Sequence, residues 1–280
     1  MCGVVGLICE KTRQDLGKMA AVLLRSLEYR GYDSTGAAIQ GDETGTVDLR
    51  KGVGAPSLLV DDLGISRLSG RMLCGQVRWA TFGAVDEKNA QPHVVRCKTF
   101  LYGAHNGNVT NTEAIREKLL DEGHSILSDN DGEMLVHLVE HHFAMELQRL
   151  SDPLDCDARR LAMRRALVRA QAGVEGSFAA IIADPVSHTL WALKSGSSLY
   201  FGIGHDEHGP FQLASSDLSS ILKFTRVLLP MEEGEAVEFD HEHRVSFMLK
   251  EKKTRDGRTL AAGEIFSRAP VRSRLRARDT

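Results

Sequence analysis

The order of strand-like and helix-like segments constrains the fold of this chain more than any single motif does. Apolar, β-branched runs predict strands near both ends, over residues 3–8, 72–77, 99–104, 177–184, 188–194, 199–204, 211–215, 235–240 and 245–250. Apolar residues at helical spacing predict helices over about residues 16–27, 110–123, 131–150 and 157–172. Because most helices lie in the middle and the strands are grouped at both ends, we expect an α+β fold rather than a regular βαβ alternation.

Most of the sequence, residues 2–250, is expected to form one domain. Residues 251–280 are basic and poor in large apolar side chains, and they end in SRAPVRSRLRARDT. Such a composition does not favour a packed core. We therefore expect residues 251–280 to be a basic C-terminal tail or a truncated linker.

Charge and hydropathy limit the partners of the chain. The net charge of -3 at pH 7 argues against a nucleic acid or an anionic membrane surface as partner. No apolar run approaches the roughly 20 residues that span a bilayer. The first residues, MCGVVGLICEK, lack the basic and long apolar regions of a signal peptide. We therefore expect a cytoplasmic protein that binds neither nucleic acid nor membrane.

The five cysteines are odd in number and show no C-x-x-C spacing. This argues against a disulfide framework and against a cysteine zinc site. It leaves room for one reactive cysteine.

Cys2 is the cysteine whose position favours reactivity. Its small size favours removal of Met1, which leaves a free α-amino group and a thiol on the same residue. The α-amine has a pKa of ~7.7–8, so it is partly neutral near pH 7 and can act as a base. Nucleophile and base would then share one residue, as covalent acyl transfer requires. Taken alone, Cys2 is better explained as a buried apolar thiol.

Further motifs accompany Cys2 in a fixed order. They are MCGVVGL, LEYRGYDSTG, VRWATFG, NAQPH, HNGNVTN and SDNDGEM, followed by KSGSSLYFGIG, LASSD and EEGEAVEF. Together they resemble the class II glutamine amidotransferases, which are N-terminal-nucleophile hydrolases, and above all the glutaminase domain of glucosamine-6-phosphate synthase. The resemblance implies a four-layer αββα sandwich with two antiparallel sheets. It also implies hydrolysis of L-glutamine without a metal or an organic cofactor, with the ammonia passed to an acceptor synthase.

The resemblance assigns the catalytic roles to four residues. Cys2 would attack the glutamine amide and form a thioester. The Asn106 side chain and the Gly107 backbone N–H would donate hydrogen bonds to the oxyanion. Arg30 would position the catalytic groups. Locally, Asn-Gly also fits a hairpin turn, and Arg30 also fits a solvated arginine at a helix end.

Four other residues are expected to bind glutamine. Arg78 offers a planar fork for the α-carboxylate and Thr81 a hydroxyl. Asp131 offers a carboxylate for the α-ammonium group. Trp79 lies in a segment that closes over bound glutamine in the family.

The sequence departs from the synthase pattern at two positions. Phe82 and Gln91 stand where the synthase domain usually carries histidine. Neither position supplies the nucleophile or an oxyanion donor, so we expect hydrolysis to survive.

Several alternatives remain at the level of sequence. The chain is either a glutaminase that serves a separate synthase subunit or a truncated glutamine–fructose-6-phosphate aminotransferase that lacks its isomerase domains. A non-catalytic binding module is disfavoured, because nucleophile, oxyanion donors and substrate arginine are all present. His137, Glu140 and His141 fit the H-x-x-E-H pattern of zinc peptidases. Apolar residues already account for the buried face of that helix, so we predict no metal there.

Overall fold

A computed structural model of the protein describes residues 2–81, 83–254 and 257–275. Its strands are β1 (Gly3–Arg13), β2 (Ser34–Gln40), β3 (Asp48–Val53), β4 (Gly70–Arg78), β5 (His93–Val95), β6 (Leu101–Val109), β7 (Gly176–Asp184), β8 (Thr189–Ser195), β9 (Tyr200–Asp206), β10 (Gly209–Ser215), β11 (Val227–Leu229), β12 (Glu235–Phe239), β13 (Arg244–Met248), β14 (Lys252–Lys253), β15 (Thr259–Leu260), β16 (Ile265–Phe266) and β17 (Val271–Arg272). Its helices are α1 (Leu16–Ser26), α2 (Pro56–Asp62), α3 (Thr112–Asp121), α4 (Asp131–Leu147), α5 (Cys156–Ala172) and α6 (Leu218–Leu222).

Two large antiparallel sheets form the centre of the molecule. The first has the strand order β17-β11-β9-β10-β1-β4-β2-β3, and the second has the order β16-β13-β12-β8-β7-β6-β5. β1 lies inside the first sheet, between β10 and β4, and β6 lies inside the second, between β7 and β5. The strand that follows Cys2 and the strand that contains Asn106 are therefore held by neighbours on both sides.

The sheets pack face to face, and helices cover both outer faces. Side chains of both sheets, such as Ile8 and Ile181, share one buried cluster between the sheets. α1, α2 and α6 cover the outer face of the first sheet, and α3, α4 and α5 cover that of the second. This arrangement confirms the predicted α+β class and the four-layer αββα sandwich.

β1 shows why its sequence suits a central strand. Val4 and Ile8 face the other sheet, whereas Val5 and Leu7 face the helices. Both faces are apolar because both are covered. At Gly6 the sheets approach so closely that a Cβ atom would lie 2.8 Å from Cγ2 of Ile181.

The described part of residues 251–280 forms short strands. β16 pairs with β13 and β17 pairs with β11, so the segment adds an edge strand to each large sheet. Arg268 donates a 2.6 Å hydrogen bond to the carbonyl of Pro230 and lies 3.4 Å from the carboxylate of Glu235. The boundary at residue 250 stays a prediction, but these contacts attach the segment to the sandwich.

Among the described residues, no helix combines the length and the apolar character needed to cross a membrane.

Candidate active site

Cys2 lies at the edge of the sandwich where β1 begins. The register of β1 against β4 places Gly3 opposite Val77, so Cys2 faces the residues that end β4. Its thiol lies 3.5 Å from the carbonyl oxygen of Trp79. Arg30 donates a 3.0 Å hydrogen bond from Nε to the Cys2 carbonyl. The strand register and Arg30 together fix the backbone of the predicted nucleophile.

The surroundings of Cys2 keep its thiol protonated at neutral pH. Burial has the largest effect and raises the pKa of the thiol above its ordinary value. A backbone contact with Trp79 and the charge of Arg78 lower the pKa in part, and Asp131 raises it. A base is therefore needed to take the thiol proton during an attack.

A cavity of about 410 Å³ opens beside Cys2. Six of the eight predicted site residues line it, namely Cys2, Arg30, Trp79, Thr81, Asn106 and Gly107. They come from both sheets and from the segment after α1. The sandwich thus brings the predicted nucleophile and the predicted oxyanion donors to one cavity.

Asn106 and Gly107 lie within β6, opposite Ala179 and Phe178 of β7. The hairpin-turn interpretation of Asn-Gly is therefore wrong. Gly107 has φ of 146°, and a Cβ atom there would lie 2.1 Å from the carbonyl oxygen of Ser177. Glycine is required because of its backbone conformation and the close neighbouring strand.

Arg78 and Asp131 do not line the cavity. Arg78 is buried and donates hydrogen bonds to the carbonyls of Ala84 (2.8 Å) and Gly83 (3.4 Å). It thereby holds the segment that follows β4. Both Arg78 and Asp131 nevertheless influence the pKa of Cys2, so they lie within electrostatic reach of the thiol.

Asp131, the first residue of α4, is held from two sides. Its Oδ2 atom accepts a 3.0 Å hydrogen bond from the Val109 N–H and lies 3.1 Å from Nε2 of His105. Burial acts to raise the pKa of Asp131, but the His105 ring and backbone N–H groups outweigh it and hold the pKa at about 2. Asp131 is thus a carboxylate at neutral pH.

Gln91 orients His105. The His105 backbone N–H donates a 2.8 Å hydrogen bond to Oε1 of Gln91, and Nε2 of Gln91 lies 3.1 Å from Nδ1 of His105. Gln91 therefore supports the ring that contacts Asp131, a role that its motif did not indicate. Phe82, the other departure from the synthase pattern, lies outside the described residues.

Trp79 stands at the cavity with 42% of its surface exposed. Its ring packs against Tyr32 at 5.3 Å between ring centres. The next residue, Ala80, donates a 2.8 Å hydrogen bond from its N–H to Oδ2 of Asp33. These contacts tether the segment after β4 to the segment after α1, and sequence reasoning did not identify them.

The cavity is also lined by five residues that the motifs had not identified as site residues: Asn108, Ser177, Gly196, Ser197 and Ser198. A Cβ atom at Gly196 would lie 2.2 Å from Oγ of Ser177, so the two segments touch there. Gly196, Ser197 and Ser198 belong to the KSGSSLYFGIG motif. That motif was the signal in the sequence that could have identified them as site residues.

The H-x-x-E-H segment does not form a peptidase centre. Glu140 is fully buried, and its Oε1 atom accepts hydrogen bonds from the backbone N–H groups of Lys98 and Thr99. A general base has to reach its substrate, and this carboxylate cannot do so. His137 and His141 contact different nitrogens of His124.

The four-layer sandwich, with Cys2 just before a central strand, has the arrangement of the N-terminal-nucleophile amidotransferases. The sequence model of the glutamine amidotransferase domain matches residues 77–222, about half of the chain. The chain belongs to this family.

Similar proteins agree with this assignment. Glutamine–fructose-6-phosphate aminotransferase of Photorhabdus laumondii is 34% identical over 239 residues, which cover 85% of this chain and 35% of that protein. The enzyme of the same name from Pseudomonas syringae is 36% identical over 242 residues, with the same coverage. The chain thus spans about a third of the length of these relatives.

A solved structure shows the same fold. Glutamine phosphoribosylpyrophosphate amidotransferase from B. subtilis superposes with a TM-score of 0.68 at 21% identity. The match covers 89% of this chain and 49% of that one. At this identity the likeness concerns the fold alone.

Proposed function

We propose that this domain hydrolyses L-glutamine to L-glutamate and ammonia through a thioester on Cys2. The observation that carries the proposal is the shared cavity, which Cys2, Asn106 and Gly107 line together. Its volume of about 410 Å³ falls in the range of small-molecule sites. Arg30 supports the nucleophile by its hydrogen bond to the Cys2 carbonyl.

The first step forms a bond between Sγ of Cys2 and the carboxamide carbon of glutamine. The thiol proton passes to the α-amine of the same residue, which is free once Met1 has been removed. Because burial raises the pKa of the thiol, this transfer has to accompany the attack. The α-amine suits the role, since its ordinary pKa of ~7.7–8 leaves it partly neutral.

The resulting tetrahedral intermediate carries an oxyanion. The Asn106 side-chain amide and the Gly107 backbone N–H donate hydrogen bonds to it. The carbon–nitrogen bond then breaks as the α-ammonium group returns its proton to the leaving nitrogen, and ammonia departs. Water next adds to the thioester, the carbon–sulfur bond breaks, and glutamate and the Cys2 thiol are released.

The remaining predicted residues select glutamine. The substrate α-carboxylate binds Arg78 and replaces the carbonyls of Gly83 and Ala84 as its partner, a charge-assisted pairing that is stronger than the neutral one. Thr81 adds a hydroxyl from the cavity wall, and Asp131 attracts the α-ammonium group. Trp79 covers the bound substrate.

A separate synthase subunit, or a further part of a longer chain, accepts the ammonia. The names of the relatives suggest fructose 6-phosphate as the sugar that is aminated. This chain should release glutamate from glutamine but make no glucosamine 6-phosphate from fructose 6-phosphate. Sugar amination by the purified chain alone would contradict this part of the proposal.

The nucleophile is tested by Cys2→Ala, which should abolish glutaminase activity, with Cys156→Ser as the matched control. Cys156 is exposed and lies outside the cavity lining, so its variant should retain the activity. Mass spectrometry after treatment with an electrophilic glutamine analogue should locate the label at Cys2. Turnover in Cys2→Ala, or a label on Cys74 or Cys97, would overturn the assignment.

A further inference from the structure

Three side chains that glutamine hydrolysis does not use meet against α4. They are Cys97 in the loop between β5 and β6, His124 in the loop between α3 and α4, and His137 within α4. One ligand atom from each lies within 4.8 Å of the other two. Both histidines are buried, and Cys97 is half-buried.

The distances match a tetrahedral metal site. Zinc binds histidine nitrogen at about 2.0–2.1 Å and cysteine sulfur at about 2.3 Å, so tetrahedral angles place two nitrogens about 3.4 Å apart and sulfur about 3.6 Å from nitrogen. In the structure, the Nδ1 atoms of His124 and His137 are 3.3 Å apart. Sγ of Cys97 lies 3.9 Å from Nδ1 of His137. These two distances lie within a few tenths of an ångström of the tetrahedral values, and the ligand atoms of Cys97 and His124 lie within 4.8 Å of each other.

The outer nitrogens of both rings have polar neighbours. Nε2 of His137 lies 3.5 Å from the carboxylate of Glu133, and Nε2 of His124 lies 3.2 Å from Nδ1 of His141. Metal-binding histidines usually donate their second ring N–H to such a partner, which fixes the ring and leaves the other nitrogen for the metal. Both rings accordingly direct Nδ1 toward the cluster.

A buried carboxylate oxygen lies beside the cluster. Glu140 is fully buried, and its Oε2 atom forms no hydrogen bond within the described chain. The same oxygen lies 3.2 Å from Nδ1 of His124. A buried carboxylate oxygen in this position can compensate the charge of a cation bound in the cluster.

We propose that Cys97, His124 and His137 bind one Zn²⁺ ion, with Glu140 beside the fourth coordination position. The ion would fasten two loops to α4, the helix that begins at Asp131. The ligands lie far apart in sequence, so no zinc motif was visible, and the prediction of no metal is replaced by this proposal. The proposal does not depend on glutamine chemistry.

Cobalt tests the site, because Co²⁺ takes the place of Zn²⁺ and reports on its ligands. The purified chain should contain zinc by elemental mass spectrometry. After removal of the zinc, one Co²⁺ per chain should give tetrahedral d–d bands and a thiolate-to-cobalt charge-transfer band. Cys97→Ser should lose the charge-transfer band, whereas the exposed-cysteine control Cys156→Ser should keep it. Cys2→Ser should also keep it, which excludes chelation by an N-terminal cysteine.

A second variant distinguishes a metal site from a hydrogen-bonded histidine pair. His141→Gln removes the neighbour of His124 and should weaken Co²⁺ binding by about 10–100-fold without abolishing the charge-transfer band. A simple N–H···N hydrogen bond between His124 and His137 would give a wild-type chain with no such band. That result, or a band lost in Cys2→Ser and kept in Cys97→Ser, would overturn the proposal. The wild-type spectrum alone decides the question if Cys97→Ser does not fold.

Discussion

The replacement Asp131→Asn tests the buried contacts at the start of α4. The side chain of Asp131 is held by the Val109 N–H and the His105 ring, and its pKa falls from 3.8 to about 2. At about 1.4 kcal/mol per pH unit, this difference corresponds to about 2 kcal/mol of stability at neutral pH. The carboxylate is almost fully buried, so solvent screening reduces this value little.

The sign of the pH dependence follows from the lowered pKa. The contribution of the Asp131 carboxylate to the free energy of unfolding is complete above the ordinary pKa of 3.8. This contribution is lost as the pH falls from there to about 2. Asp131→Asn should therefore lower the free energy of unfolding by about 2 kcal/mol at pH 7. The difference between the two proteins should disappear as the pH falls through this range.

Urea unfolding, followed by the fluorescence of the buried Trp191, measures this difference between pH 2 and pH 7. Asp129→Asn is the matched control, because its carboxylate is 65% exposed and pairs with Arg116 at the surface. Such a pair contributes about 0–1 kcal/mol. Equal stabilities of wild type and Asp131→Asn at pH 7, or a difference that does not change with pH, would refute the reasoning.

Three further predictions concern the candidate active site. Asn106→Ala should lower kcat by about 10²–10³-fold in a steady-state glutaminase assay, because its hydrogen bond strengthens as the oxyanion forms; an effect on KM alone would contradict that role. Arg78→Ala should raise KM by roughly tenfold to over a hundredfold, since it removes a charge-assisted contact of about 1.5–3 kcal/mol; an unchanged KM would place the carboxylate elsewhere. Gly107→Ala should destabilise the fold by at least about 1–3 kcal/mol in urea unfolding, because its Cβ would lie 2.1 Å from the Ser177 carbonyl oxygen. Gly45→Ala, where no atom lies within 4 Å of the added Cβ, is the control, and equal losses in the two variants would contradict the steric argument.

Local patterns predicted the long elements well. Residues 157–172 were predicted as a helix, and the structure has α5 at Cys156–Ala172. The prediction succeeded because the spacing of apolar residues in a helix is a local property. β2, with the sequence STGAAIQ, was not predicted, because its small residues carry little hydrophobic pattern. Its neighbours explain this composition, since a Cβ atom at Gly36 would lie 2.1 Å from the Gln91 carbonyl oxygen.

The short C-terminal strands were not predicted from local patterns in the sequence. Ile265 and Val271 lie in two-residue strands that no periodic pattern marks. They become strands because β13 and β11 offer exposed edges with unpaired backbone groups. Pairing of this kind depends on where the edges lie in space, and composition alone suggested a linker.

The sequence by itself determined the class of fold, the prediction of Cys2 as nucleophile and the motif that contains Asn106 and Gly107. Each of these depends on short segments whose chemistry and spacing can be recognised locally. Only the tertiary structure decided which distant residues meet. Antiparallel register places Cys2 against the end of β4, and the stacking of two sheets brings Asn106 to the same cavity. The packing of two loops on α4 likewise joins Cys97, His124 and His137, because such contacts depend on the whole fold and not on distance along the chain.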